Sequence, residues 1–281
     1  MLEYAIEVRN LHYAYPNGYV ALRGINLKIR RGEKIAIMGN NGAGKTTLIK
    51  HFNGLLKPTK GDVFVFGLNT KEHSVAELSK KVGLVFQNPY HQFFSERVWD
   101  EIAFALRNFN FPEDVIRRRV EKVLKIFHLE EYVDRSPFGL SGGEMRRLAI
   151  ASVLVYDPEI IVLDEPTVGQ DRIQKESIAE IIKMLELQGK TIVVVTHDIE
   201  FVAENFNRVV VMSGGRIIAD GKAKDVLYDK DVLVKAGLVR PIIAEFTNEL
   251  ARANVVNGGF KALTVYELYD YLLKMVRGSN P

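Results

Sequence analysis

Residues 34–47, KIAIMGNNGAGKTT, constrain the fold more than any other stretch of the chain. The apolar run behind Lys34 predicts a short buried strand. The glycine-rich segment after it fits G-x-x-x-x-G-K-[ST] at Gly39, Gly44, Lys45 and Thr46. A helix is expected from about Lys45 to Asn53. A strand that passes through such a loop into a helix is a phosphate cradle. Backbone N–H groups over Asn40, Asn41, Gly42, Ala43 and Gly44 close round an oxyanion. The helix N-terminus adds its partial positive charge. Lys45 is expected to reach the β- and γ-phosphates, Thr46 to ligate Mg²⁺ and Thr47 to bond the α-phosphate.

The cradle sits inside an α/β pattern. The first ~35 residues alternate apolar and polar, with turns at Tyr15–Gly18 and Arg31–Glu33, and predict a small antiparallel sheet. Short strands are expected at 63–66, 82–86, 160–163, 191–196 and 208–212, with helices at 172–188 and 198–205. Residues from about 98 to 155 read as a helical insert in a mainly parallel sheet. Within it Ile116, Val120, Val123, Leu124 and Phe127 fall on one helix face, with Arg117, Arg118 and Arg119 largely off it. Beyond Arg240-Pro241 the spacing turns helical again. The tail breaks at 257–259 and resumes behind a capping-box pattern of Thr264 and Glu267.

Composition removes several classes. The net charge of +3 is too small to argue for nucleic acid, and none is expected as a partner. With no cysteine, disulfides and thiolate metal sites are excluded. The N-terminus shows no signal-peptide pattern, and no apolar run approaches the ~20 residues of a membrane helix. Any membrane role is expected to come through a partner.

Three further stretches carry chemistry. IIVLDEP, 160–166, is a strand ending in two carboxylates: Asp164 suits Mg²⁺, and Glu165 is placed to activate water. Thr196-His197-Asp198 ends another strand, at the edge where ligands of such sheets bind. As a lone residue His197 is an ordinary loop histidine, and so are His12, His51, His73, His91 and His128. LSGGEMRR, 140–147, is a second anion-binding helix start, in which Ser141 and Glu144 also form a capping box.

These motifs stand in a familiar order: the phosphate loop, FQN (86–88), LSGGE (140–144), LDEP (163–166), VGQD (168–171) and TH (196–197). In them the chain resembles the nucleotide-binding subunit of ATP-binding cassette (ABC) systems over roughly residues 4–235. The resemblance implies ATP and Mg²⁺ as cofactors. It implies adenine stacking on Tyr15, with Tyr13 as second choice, and a Gln87 that senses Mg²⁺ and the attacking water. Glu165 resembles the general base, His197 the switch histidine at the γ-phosphate, and Asp171 the acid that communicates between subunits. Gln170 departs from the apolar residue frequent at its position. Two such domains pack head to tail in the family, so Ser141, Gly142 and Gly143 are expected to clamp an ATP held by another subunit.

Q-x-P-x-x-Q-x-F after Gln87, the VWDEIAF run and the helical tail are similar to the cobalt-type and energy-coupling factor ATPases. That branch implies a P-loop ABC ATPase fold: a mainly parallel core sheet, an antiparallel N-terminal β subdomain and a helical subdomain over about 90–155. Residues 1–240 form the nucleotide-binding domain, and 241–281 a helical extension suited to a dimer contact or to packing back on its own domain. Ile242, Phe246, Leu250, Tyr266, Tyr269 and Tyr271 are its contact candidates. The implied partners are a second ATPase subunit (a twin or a sister), an integral membrane T subunit and a substrate-capturing S subunit for a vitamin or metal ion. The implied location is the cytoplasmic face of the membrane. Phe93 and Phe94 either line the groove for the membrane partner or pack inside the helical insert. The alternatives are a soluble ABC ATPase of DNA repair or the ribosome, and a non-enzymatic binding module.

Overall fold

A computed structural model describes residues 3–277. Strands β1 (Tyr4–Ala14) and β2 (Val20–Arg30) form an antiparallel hairpin. β3 (Lys34–Met38) follows, and the phosphate loop leads from it into α1 (Lys45–Lys50). β4 (Lys60–Val65) and β5 (Leu68–Asn69) complete a four-stranded sheet of order β2-β1-β4-β5. A short α2 (Val75–Ser79) precedes β6 (Val82–Val85). Three helices come next: α3 (Val98–Asn108), α4 (Glu113–Ile126) and α5 (Gly142–Leu154). The α/β alternation then resumes through β7 (Ile160–Asp164), α6 (Arg172–Leu187), β8 (Thr191–Val195) and α7 (Ile199–Asn205). β9 (Arg208–Ser213) and β10 (Arg216–Lys222) form a hairpin, and α8 (Ala223–Tyr228) and α9 (Lys230–Lys235) follow. The tail holds α10 (Ile242–Arg252) and α11 (Val265–Val276). Among the described residues no helix is long and apolar enough to cross a membrane.

The second sheet has six strands in the order β10-β9-β3-β8-β7-β6, parallel except for β10. Its central strands are buried on both faces, which explains their unbroken apolar runs. Alternate residues serve two cores. Ile35, Ile37, Val193, Val195, Val162 and Val210 pack toward the antiparallel sheet and α1. Ala36, Met38, Ile192, Val194, Leu163 and Val211 pack toward the helices. The predicted stripe of α4, from Ile116 to Phe127, lies wholly in that second core.

Local differences from the sequence expectation have physical causes. α1 ends at Lys50, earlier than expected, and His51 is fully buried rather than a loop histidine. Its Nδ1–H donates to Thr47 O at 2.7 Å, and its ring meets Tyr13 edge-on at 4.9 Å. Its Nε2 is buried without a hydrogen-bond partner. Burial pushes its pKa down to about 4, against the hydrogen bond to Thr47. The fold therefore keeps His51 neutral, whereas the unfolded chain protonates it below about 6.5. This contribution is complete above pH 6.5 and is lost as pH falls toward 4, about 3 kcal/mol in all. The urea midpoint should fall across that window, and His51→Gln should flatten the fall.

Arg119, which lies off the apolar stripe, still packs on the protein: it lies over the Phe111 ring and donates to Val155 O. In the tail, Thr264 caps α11 as expected, but the Glu267 carboxylate accepts from Leu263 N–H at 2.8 Å. The tail docks on its own chain through small residues, with Ala244, Thr247 and Ala262 fully buried. Tyr228 Oη donates to Ala262 O and accepts from its N–H. Ile242, Phe246, Tyr266 and Tyr269 remain exposed, while Tyr271 stacks on Phe260 at 3.8 Å.

Candidate active site

β3 delivers the phosphate loop at the end of the parallel sheet. Two of its glycines are forced by backbone crowding. A Cβ on Gly39 (φ +148°) would stand 2.2 Å from Met212 O, and one on Gly44 (φ +99°) 2.8 Å from Ala21 O. Asn40, Asn41 and Gly42 are exposed, and Ala43 is buried. Lys45 is 6% exposed, and its Nζ donates to Gly39 O at 2.7 Å and Asn40 O at 3.1 Å. The ammonium thus spans the cradle from within. Tyr15 Oη lies 2.9 Å from Thr47 Oγ1, and the Tyr15 ring meets Tyr13 edge-on.

β7 brings the two acids to the same end, with β8 between it and β3. Thr46 Oγ1 donates to Asp164 Oδ2 at 2.9 Å. The other oxygen, Asp164 Oδ1, is buried with no hydrogen-bond partner. Burial pushes the Asp164 carboxyl up to about 6, opposed by the Thr46 hydrogen bond. Among the described residues no group of three or more His, Cys, Asp or Glu could hold a metal ion. Oxygen donors here are one carboxylate and one hydroxyl, a set that would need further oxygens from a bound phosphate.

Glu165 is nearly buried and takes a left-handed φ of 47°, a strained value for a side chain of this size. Its N–H bonds Val195 O at 2.7 Å, which fixes the turn against β8. One carboxylate oxygen lies 3.5 Å from Lys45 Nζ. The other meets His197 Nδ1 at 3.0 Å and accepts from His197 N–H at 3.3 Å. A buried acid is thereby held between the phosphate loop and the end of β8.

Three predicted site features lie apart from this cluster. The Gln87 side chain is exposed. Ser141 caps α5 and exchanges hydrogen bonds with Glu144 in a full capping box. Among the described residues, no hydrogen bond joins Ser141, Gly142 or Gly143 to the phosphate loop. Asp171 caps α6 through Gln174 N–H at 2.8 Å. α5 and α6 start side by side, since a Cβ on Gly143 would stand 2.6 Å from Gln174 Nε2. Of the phenylalanine pair, Phe93 is buried, whereas Phe94 is 56% exposed and packs on Phe104. Tyr90 and Phe138, stacked at 6.2 Å, are exposed as well.

Sequence reasoning missed the residues that pin the Gln87 loop. Gln92 Nε2 donates to Ala149 O and Ser152 Oγ, both at 2.9 Å. The buried Glu101 carboxylate accepts from Phe94 and Ser95 N–H. Arg146 holds the carbonyls of Phe86 and Gln87. Signals were present: Gln92 and Glu101 stand in the Q-x-P-x-x-Q-x-F and VWDEIAF stretches, and Arg146 shares a helix face with the apolar Ile150 and Val153.

A cradle that opens onto a helix, with a strained acid and a histidine closing its phosphate side, defines a phosphate-loop ATPase. The ABC transporter family model matches residues 22–168. The energy-coupling factor transporter ATP-binding protein EcfA of Methanothermobacter thermautotrophicus is 41% identical over 278 residues, 97% of this chain and 88% of the relative. EcfA2 of Clostridium perfringens is 39% identical over 98% of this chain and its own full length. An ABC transporter ATP-binding protein of Caldanaerobacter subterraneus is 44% identical over 88% of this chain, which spans 43% of that longer relative. Among solved structures, CbiO1 of Clostridium perfringens, described as part of the ABC transporter complex CbiONQ, superposes with TM-score 0.74. It is 38% identical and covers 88% of this chain and 99% of its own. A dimeric ATP-binding cassette in a post-hydrolysis state with ADP and Pi gives TM-score 0.71 at 32% identity, over 78% of this chain and 98% of its own. The chain belongs to the ABC transporter family, as an ATP-hydrolysing subunit of the energy-coupling factor type.

Proposed function

We propose that this chain is the motor of an energy-coupling factor importer and that two such ATPase subunits close head to tail on ATP. The observation that carries the reading is the split site. The phosphate loop, Asp164, Glu165 and His197 converge, while the anion-binding start of α5 at Ser141 and Gly142 faces solvent and, among the described residues, makes no hydrogen bond to that cluster. ATP would lie with its phosphates over residues 39–47, Lys45 drawn to the β- and γ-phosphates and Thr47 to the α-phosphate. Tyr15 would stack on adenine. Glu165 would take a proton from the attacking water, with its carboxylate oriented by His197. Gln87 would swing in to sense the metal and the water, and Asp171 would pass the state of one site to the other subunit.

Mg²⁺ fits the donors present, because Asp164 Oδ1 is buried without a hydrogen-bond partner and the Thr46 hydroxyl lies against the same carboxylate. When bound, it would neutralise charge on the β- and γ-phosphates. Asp164, Thr46 and Gln87 would be its protein ligands, directly or through water.

The partners follow from the branch: an integral membrane T subunit, an S subunit that captures a vitamin or metal ion, and a second ATPase, with this chain peripheral on the cytoplasmic face. CbiO1 is itself part of an ABC transporter complex, which counts against a DNA-repair or ribosome-associated role. Residues 1–240 would act as the ATPase domain, with its helical part at about 90–155, and 241–281 as a dimer contact through Ile242, Phe246, Tyr266 and Tyr269, which stay exposed. Tyr90, Phe94, Phe104 and Phe138 form an exposed aromatic patch beside the Gln87 loop, suited to a helix of the membrane partner. Co-expression with a T subunit should give a complex that survives purification in detergent. Phe94→Asp should release it while leaving ATP binding intact; retention of the T subunit by Phe94→Asp would remove the patch from the interface.

A further inference from the structure

Helix α5 carries a buried cation for which the ATPase chemistry above has no use. Arg146 is 6% exposed. Its Nη1 donates to Phe86 O at 3.1 Å and its Nη2 to Gln87 O at 2.7 Å. Its Nε is buried with no hydrogen-bond partner. Desolvating a guanidinium is strongly unfavourable, so a helix that needed only a filled core would place an apolar residue here. The two hydrogen bonds reach the carbonyls that set the path of the Gln87 loop. Gln92, from the same loop, returns to α5 at Ala149 and Ser152. The loop is therefore clipped to α5 at 146 and again about a turn further on.

The start of the same helix is exposed at Ser141 and Gly142. Arg146 stands five positions beyond Ser141, about 7.5 Å along the helix. A hydrogen-bonded helix is stiff over that length. A shift of its start is carried to the guanidinium and from there to the loop.

We infer that Arg146 is a positioning residue that couples the two ATP sites of the dimer. It ties the Gln87 loop, which serves the chain's own ATP, to the helix start that grips the partner's ATP. The inference rests on the head-to-tail reading. Closure on one nucleotide moves α5, and Arg146 hands that movement to the Gln87 loop of the other site.

The test uses the 281-residue chain and four variants, Arg146→Met, Arg146→Lys, Gln87→Ala and Gln87→Ala with Arg146→Met. Each is measured for binding of a fluorescent ATP analogue to the monomer and for ATPase rate against ATP concentration. Arg146→Met should bind the analogue within about twofold of wild type, lose about tenfold in kcat and show a Hill coefficient reduced to one. Arg146→Lys, which keeps a donor and the charge, should recover part of both. The double variant should be no slower than Gln87→Ala alone, because both changes strike one linkage. Multiplicative losses in the double variant, or a wild-type Hill coefficient in both Arg146 variants, would overturn the inference. If Arg146→Met does not fold, Arg146→Lys carries the same two readouts. Glu165→Gln separates the layers: a chain that never forms an ATP-bound dimer defeats the head-to-tail reading itself. One that does, beside an Arg146→Met with wild-type cooperativity, defeats only the coupling.

Discussion

Glu165→Gln is expected to lower ATP turnover by about 10²–10⁴-fold while ATP-bound dimers accumulate. The substitution keeps the shape of a nearly buried side chain and the hydrogen-bonding reach toward His197 Nδ1. It removes the carboxylate that would accept a proton from water. It also removes the negative charge that faces Lys45 Nζ at 3.5 Å, which frees the ammonium for phosphate. Binding should therefore hold or tighten while chemistry stops, a loss in kcat without a rise in KM. Steady-state phosphate release and size-exclusion in ATP read the two halves of the prediction. Unchanged turnover would remove Glu165 from the role of base.

Gly142→Asp should abolish turnover by a different route. Among the described residues, nothing outside the helix's own first turn comes within 4 Å of a Cβ built on Gly142, so the new side chain meets open space there. An aspartate in the first turn of α5 is favourable with the helix dipole, and the fold should be retained or slightly stabilised. On the head-to-tail reading, that carboxylate faces the γ-phosphate of the partner's ATP. Like charges opposed across an interface cost several kcal/mol, about 3 of which correspond to a 10²-fold weaker closure. ATP binding to the isolated chain should survive, because the phosphate loop is untouched. A wild-type rate in Gly142→Asp would mean that the α5 start never meets a phosphate.

The strands of the parallel sheet were legible because each is a run of apolar residues buried on two faces, and the phosphate loop because its glycines are dictated by backbone contacts. Residues set by distant partners were not legible. His51 is buried by Tyr13, 38 positions earlier in the chain, and nothing beside it announces that. Arg146 and Gln92 hold backbone carbonyls across 57 to 60 residues of chain, and although the helix face of Arg146 was readable, nothing in the sequence names those distant partners. The tail shows a related limit. Its helical spacing was readable at Ile242 and Phe246, but the docked face uses Ala244 and Thr247, residues too small to stand out in a hydrophobic pattern. Phe93 and Phe94 divide because successive residues of an irregular loop point apart, one into the helical core and one to solvent.

Mixing two inactive chains tests most directly whether each ATP is held by two subunits. Lys45→Ala breaks the phosphate loop and leaves α5 intact; Gly142→Asp breaks the α5 start and leaves the phosphate loop intact. In a mixed head-to-tail dimer both lesions fall in one site, and the other site is whole. If two subunits hold each ATP, the mixture regains ATPase activity that neither variant has alone, up to that of one site in two. A mixture no more active than its separate components would contradict that arrangement.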